Sequence, residues 1–379
     1  LSAIAEVIAA FHNEADRSEI IDTAAKVPAI TCRWQDNLTE LRRYAGTVLP
    51  SESLAEVGRL VDQFIKGRAA LFAERITDRR IVDGHGDLLT GDIFCMPDGP
   101  AILDCLEFDE RLRHVDCSDD VAFLAMDLEF LGRKDLADFF IAEYQRLSGD
   151  TATTALVDFY IAYRAGVRAK VDCIRIDQGS QSAATDARRH LDIALDHLRS
   201  GTVRLILIGG GPGTGKTTLA HGLAEQLSAQ VISTDDVRRE LQERGLLGGP
   251  AGILNEGLYS SDNVAAVYDT VLQRAQQTLA LGRSVILDGT WRNPDFRQRA
   301  RAVASEQSCP TVELACTVPI DEAKERITQR QITNSDATPQ IADGLAANGA
   351  DWPDAHLINT RRPLADSVNE AQWVCCSAI

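Results

Sequence analysis

Leu205-Ile206-Leu207-Ile208-Gly209-Gly210-Gly211-Pro212-Gly213-Thr214-Gly215-Lys216-Thr217 decides how the second half of the chain folds. Its first four residues are a short unbroken apolar run, the pattern of a strand buried on both faces. From Gly210 onward the residues fit GxxxxGK[ST] at every fixed position. Backbone N–H groups that close around a phosphate need glycine where the chain turns tightly. Gly210, Gly211, Gly213 and Gly215 meet that need, with Pro212 and Thr214 between them. The helix predicted to begin at Lys216 presents its positive end to the anion. Lys216 is expected to bridge the β- and γ-phosphates of ATP and Thr217 to hold Mg2+, with Thr218 completing the phosphate-contacting set.

Downstream, Ser284-Val285-Ile286-Leu287-Asp288 reads as a second buried strand ending in a carboxylate. Asp288 is either a Walker-B acid that serves Mg2+ or an ordinary strand-end cap. Gln230 to Thr234 is a third strand, expected to lie beside the P-loop strand. It delivers Asp235, Asp236 and Arg238 at its C-terminal end, where ligands sit in open parallel sheets. Asp236 and Arg238 equally suit the opening turn of the next helix. A strand over Val312 to Val318 leads into a helix carrying Arg326 and Arg330, four apart and on one face. The polar segment Thr333 to Pro339 follows. Two arginines before such a segment suit a lid that closes over phosphates, and a solvated helix face explains the spacing as well.

This order of motifs resembles the small P-loop kinases of the shikimate, gluconate and chloramphenicol phosphotransferase group, and above all the AAA_33-type kinases, over nearly all of residues 203 to 376. The resemblance implies that Asp235 contacts the acceptor hydroxyl and takes its proton, and that Lys216, Arg326 and Arg330 act on the transferring phosphoryl group. An AAA+ motor fits less well, because no helical lid domain or sensor region follows the sheet.

Upstream the grammar differs. Ile4, Val7, Ile8 and Phe11, and then Leu54, Val57, Leu60, Val61 and Phe64, fall at helical spacing, so residues 1 to 80 read as amphipathic helices. A short strand over Arg80-Ile81-Val82 and an acidic Gly-rich loop follow. Then come two β-like runs, Asp92 to Cys95 and Ala101 to Phe108, joined through Pro97-Asp98-Gly99-Pro100 as a hairpin. Helical periodicity returns from about 119 to 199, for example in Val121, Leu124, Ala125 and Leu128.

Asp83-Gly84-His85-Gly86-Asp87, then Asp92, then Ile102-Leu103-Asp104, resembles the HxDxxxxN motif and later Asp of aminoglycoside phosphotransferases and choline-kinase-like enzymes. The resemblance covers roughly residues 1 to 199 and implies Asp87 as base, with Asp92 and Asp104 as metal positions. Asp92 stands where that family has Asn. The β lobe that carries the nucleotide in such enzymes has no counterpart in residues 1 to 80, so the HGD segment is open to two readings, a working site or a turn folded by its carboxylates. Both modules in this order resemble the bifunctional phosphotransferase-like/P-loop proteins of actinobacterial type.

The sequence therefore predicts a mostly helical aminoglycoside-phosphotransferase-like C-lobe with a small β-hairpin over residues 1–199. An α/β P-loop kinase domain, a parallel sheet flanked by helices, is predicted over 200–379. At 379 residues, two cores are expected. The net charge of −17 opposes a footprint for nucleic acid or an anionic membrane. No segment reads as a membrane span or a secretory leader, which places the chain in the cytoplasm, although Leu1 is not Met and a preceding stretch is expected. Nine scattered cysteines read as buried thiols. Two functions fit: an ATP- and Mg2+-dependent phosphotransferase acting on a small hydroxylated acceptor, or an ATP-binding regulatory or partner-binding protein with a degenerate first domain. The residues fix no oligomeric state.

Overall fold

The structure, a computed structural model, describes residues 1–107, 109–250, 256–329 and 352–378. It divides into two compact units, Leu1–Thr202 and Val203–Ile379. The first opens with helices α1 (Ser2–Glu14), α2 (Glu19–Asp22), α3 (Val27–Arg42), α4 (Ser51–Gly67) and α5 (Ala69–Thr77). Strand β1 (Ile81–Asp83), the hairpin β2 (Ile93–Met96) and β3 (Gly99–Ile102), and β4 (His114–Asp116) come next. Helices α6 (Cys117–Phe130), α7 (Lys134–Ser148), α8 (Thr154–Asp177) and α9 (Ala183–Ser200) complete the unit.

Helix α4 buries Leu54, Val57, Leu60, Val61 and Phe64, the face its spacing predicts. At its centre Phe64 stacks on Phe159 of α8 with ring centroids 4.3 Å apart, and Trp34 meets the same ring at 5.5 Å. Such aromatic pairs add about 0.5–1.5 kcal/mol beyond the area they bury. Helix α1 departs from expectation: it buries Ala5, Ile8, Ala9 and His12, while Val7 and Phe11 stay exposed. The cause is polar. His12 Nδ1 meets the Tyr144 hydroxyl at 2.8 Å and Nε2 meets Asp120 at 3.1 Å, which turns the helix toward its histidine.

The hairpin is tighter than its sequence suggests, because Gly99 and Pro100 already pair with Met96 and Cys95. The strand predicted to run from Ala101 onward stops at Ile102. Asp104 takes a left-handed φ of 65°, which breaks the pleat, and Phe108 lies outside the described residues.

Buried charge holds the unit together where α6 begins. Arg75 donates to both Asp116 and Asp150, each in bidentate fashion. Burial alone lowers the pKa of His12, yet the Asp120 hydrogen bond, with help from Cys117, overrides it and raises the imidazole to about 10. Burial opposes the charge on Asp120 too, but His12 and the His85 amide bring that carboxyl down to about 2. A histidine raised on folding gives stability that is complete below about pH 6.5 and lost as pH climbs toward 10. The melting temperature of the chain is therefore expected to fall between pH 7 and 10. His197, raised to about 9 against burial by Asp158 and Glu129, acts with the same sign. In His12→Gln the fall should be shallower, leaving the His197 part. An unchanged slope in differential scanning calorimetry would remove His12 from this account.

In the second unit β5 (Leu205–Gly209), α10 (Lys216–Leu227), β6 (Gln230–Ser233), α11 (Thr234–Glu243) and α12 (Ser261–Ala280) follow in order. Then come β7 (Val285–Asp288), α13 (Pro294–Glu306), β8 (Thr311–Thr317), α14 (Ile320–Gln329), β9 (His356–Asn359) and α15 (Leu364–Ser377). The five strands form a parallel sheet in the order β6-β7-β5-β8-β9. Helices α10 and α15 close on one face, where Leu219, Leu223, Val368 and Ala371 pack on Ile206, Leu314 and Ile358. The expected adjacency of β6 and β5 is corrected here, since β7 lies between them. A strand apolar on both faces, as β7 is, sits best in the interior of a sheet covered by helices. Among the cysteines, Cys32, Cys95 and Cys376 are exposed rather than buried, and all nine are free thiols.

Candidate active site

The loop after β5 takes the shape its glycines allow. Gly213 has φ 79°, and a Cβ there would run into the carbonyl of Ala323 on α14, so no other residue fits. Gly215 has φ 84° and opens α10, which aims the free N–H groups of its first turn into the loop. Thr214 Oγ1 donates to Gly211 O at 2.8 Å, and Lys216 Nζ reaches the same carbonyl at 3.4 Å, a long contact that leaves most of the ammonium free.

Parallel pairing sets Asp288 beside Ile208 on one side and Ser233 on the other, at the C-terminal ends of the central strands. Thr217 Oγ1 donates to Asp288 Oδ2 at 2.6 Å. Asp288 Oδ1 is buried and has no hydrogen-bond partner among the described residues. Burial raises the pKa of Asp288, opposed by Lys216 and the Thr217 hydrogen bond, while nearby Asp235 adds to the rise. A buried carboxylate oxygen left without a donor is costly. A hard cation taking oxygen ligands would relieve it, so a hydroxyl and a carboxylate in this arrangement fit Mg2+.

Asp235 lies in the first turn of α11, where Ser233 caps its N–H at 3.2 Å. Its Oδ1 accepts from Arg238 at 2.6 Å, and the side chain remains 36% exposed. Arg238 is buried beneath the Tyr259 ring, 4.5 Å from its centroid. Arg326 is held by residues beside the P-loop. Its guanidinium donates to Thr360 O at 3.0 Å, to Thr360 Oγ1 at 3.4 Å and to Glu322 at 2.7 Å. Thr360 in turn donates to Thr214 O at 2.7 Å, so Arg326 reaches the P-loop through one intervening residue. Arg330 and the segment Thr333 to Pro339 lie outside the described residues.

The P-loop residues Gly210 to Thr218, Asp288 and Asp235 therefore come together at one end of the sheet. Thr360 joins them unforeseen, because a lone threonine after a strand carries no sequence signal. Asp87, Asp92 and Asp104 belong to the other unit. There Asp120 accepts from the N–H groups of His85 at 2.7 Å and Gly86 at 2.9 Å, pinning the HGD loop from beneath. His85 Nε2 donates to Leu103 O at 3.0 Å, which ties that loop to the segment bearing Asp104. Asp87 is half-buried, and burial raises its pKa against Arg168 and Arg164, with Asp92 adding to the rise. Asp104 is exposed. No cluster of three or more His, Cys, Asp or Glu side chains suited to a metal occurs among the described residues. No helix among them is long and apolar enough to cross a membrane.

Comparison with known proteins matches residues 205–346 to the AAA domain family AAA_33. Two solved structures resemble this chain over under half its length. A sugar kinase from Janibacter sp. has TM-score 0.36 and 18% identity over 45% of this chain and 94% of its own. A gluconokinase from Sinorhizobium meliloti has TM-score 0.35 and 15% identity over 46% of this chain and 92% of its own. The uncharacterized protein Rv2004c of Mycobacterium tuberculosis is 53% identical over all 379 residues, which span 76% of its length. On that relationship, the chain belongs to the family of the mycobacterial protein Rv2004c.

Proposed function

We propose that the second unit transfers the γ-phosphoryl group of ATP to a hydroxyl of a small molecule. The observation that carries this reading is Asp288, whose buried, unpartnered oxygen sits beside Thr217 at the foot of the P-loop and within electrostatic reach of Asp235. Bound at Thr217 and Asp288, Mg2+ would neutralise charge on the nucleotide phosphates. The loop amides from Gly210 to Thr218 orient the phosphates, and Lys216 stabilises the charge that grows on the transferring group. Asp235 orients the acceptor hydroxyl and takes its proton, with Arg238 fixing the carboxylate.

In the first unit the same chemistry assigns Asp87 as a proton acceptor and Asp92 and Asp104 as cation-facing groups of an aminoglycoside-phosphotransferase-like lobe. The half-burial of Asp87 and its raised pKa support the first of these. ADP release measured with and without a panel of hydroxylated compounds tests the function. Turnover stimulated by an acceptor supports a kinase, and turnover indifferent to all of them favours a regulatory ATPase.

Arg326 is a positioning residue in this proposal. Arg326→Ala is expected to raise KM for ATP and lower kcat together, each on the order of tenfold, because the Thr360 contact with Thr214 loses its support. A loss confined to kcat would instead give Arg326 the direct role of a lid arginine.

A further inference from the structure

We propose that the helical unit binds a small organic anion, bearing one carboxylate or phosphate and at least one hydroxyl, in the cavity between the HGD loop, α3, α6 and α8. The proposal stands apart from the P-loop reading and does not require it.

The cavity encloses about 240 Å3, and its charged lining is Arg33, Asp87, Asp119, Arg164, Arg168 and Lys170. Two of these cancel: Arg164 Nε donates to Asp119 Oδ1 at 2.7 Å, both side chains being buried. Arg33, Arg168 and Lys170 remain against Asp87 in the lining, with Glu40 and Asp36 of α3 acting on Lys170 from outside it. Arg164 and Arg168 are four apart on α8 and share a face, which turns a helical period into a cationic wall.

The cations have donors to spare. Arg168 makes no hydrogen bond or ion pair among the described residues. Lys170 donates to Asn37 Oδ1 at 2.6 Å, leaving two ammonium hydrogens, and its burial lowers its pKa. Arg33 lies over the Tyr163 ring, 5.8 Å from its centroid. An anion entering here would satisfy these donors in surroundings where charge-assisted hydrogen bonds are strong.

The same cavity offers two acceptors to the rest of the ligand. Asp119 Oδ2 is buried without a hydrogen-bond partner, and Asp87 is half-buried with only the cations around it to offset the cost. Both suit a hydroxyl. A polyamine would meet the like charges of Arg33, Arg168 and Lys170, and a neutral polyol would leave them unpaired. The volume falls below the roughly 300–1,000 Å3 of pockets for drug-sized ligands, which restricts the occupant to a compact molecule.

Calorimetric titration of the full chain with D-glycerate, glycerol 3-phosphate and glycerol tests this. One or both anions are expected to bind and glycerol not, the preferred anion telling carboxylate from phosphate. Arg168→Gln should weaken binding by about tenfold or more. Arg168→Lys should weaken it less, and Lys216→Ala should leave it unchanged. Circular dichroism checks that each variant is folded. Three results would overturn the proposal: binding of neither anion, binding of glycerol as tight as theirs, or anion binding that survives Arg168→Gln and disappears in Lys216→Ala. The last would place the anion at the P-loop.

Discussion

Lys216→Ala is expected to lower ATP turnover by on the order of 10²–10³-fold, the scale for removing one preorganised charge donor from a developing phosphoryl charge. The side chain starts at the first residue of α10, and among the described residues its ammonium reaches only the Gly211 carbonyl, at 3.4 Å. It is therefore free to follow a γ-phosphate as charge grows there. Its field also holds down the pKa of Asp288, so its loss should weaken the neighbouring cation site. Replacement by alanine leaves the backbone cradle intact, and ATP should still bind with reduced affinity. The measurement is ADP release at saturating ATP, with affinity from calorimetry on the same preparation. Turnover at the wild-type rate in a folded variant would sink the assignment and direct attention to the HGD loop.

Asp235→Asn should reduce acceptor-dependent turnover by about 10²–10⁴-fold, the usual contribution of a positioned general base, while ATP affinity stays near wild type. An alcohol is a weak nucleophile at neutral pH. A carboxylate within hydrogen-bond reach both aims the hydroxyl and removes its proton as the new P–O bond forms. Asp235 is partly exposed, oriented by Arg238, and two residues beyond the end of β6, which leaves room for an acceptor in front of it. The amide keeps the shape and can still meet Arg238 through its oxygen, so folding is retained. Full acceptor-dependent turnover in the variant would leave Asp236 or Asp288 as the base. A variant unable to bind ATP would instead mean that Asp235 supports the nucleotide.

The correction to strand order changes what Asp235 must do. With β7 between β6 and β5, Asp288 and not Asp235 stands next to the P-loop strand. In the proposed function the cation would then be held by Asp288 and Thr217, and Asp235, one strand further out, would meet the acceptor.

The sequence alone determined whatever is local. Apolar runs such as Leu205 to Ile208 and Val285 to Leu287 specify strands, Leu54 to Phe64 specifies a helix face, and the glycines of residues 210 to 215 specify a loop whose φ angles other residues rarely adopt. Each of these is encoded within a few residues, because backbone sterics and side-chain period act over one or two turns of chain. Only the tertiary structure decided which strands are neighbours, since crossover connections leave several orders open until helices cover the sheet. It also decided where charge is buried. His12 meets Asp120 across 108 residues, Arg75 meets Asp150 across 75, and Arg164 meets Asp119 across 45. Burying a charge costs several kcal/mol unless a partner arrives with it. Partners so distant in sequence leave no periodic trace, so the face of α1, the support of the HGD loop and the cationic cavity were fixed by packing rather than by local pattern.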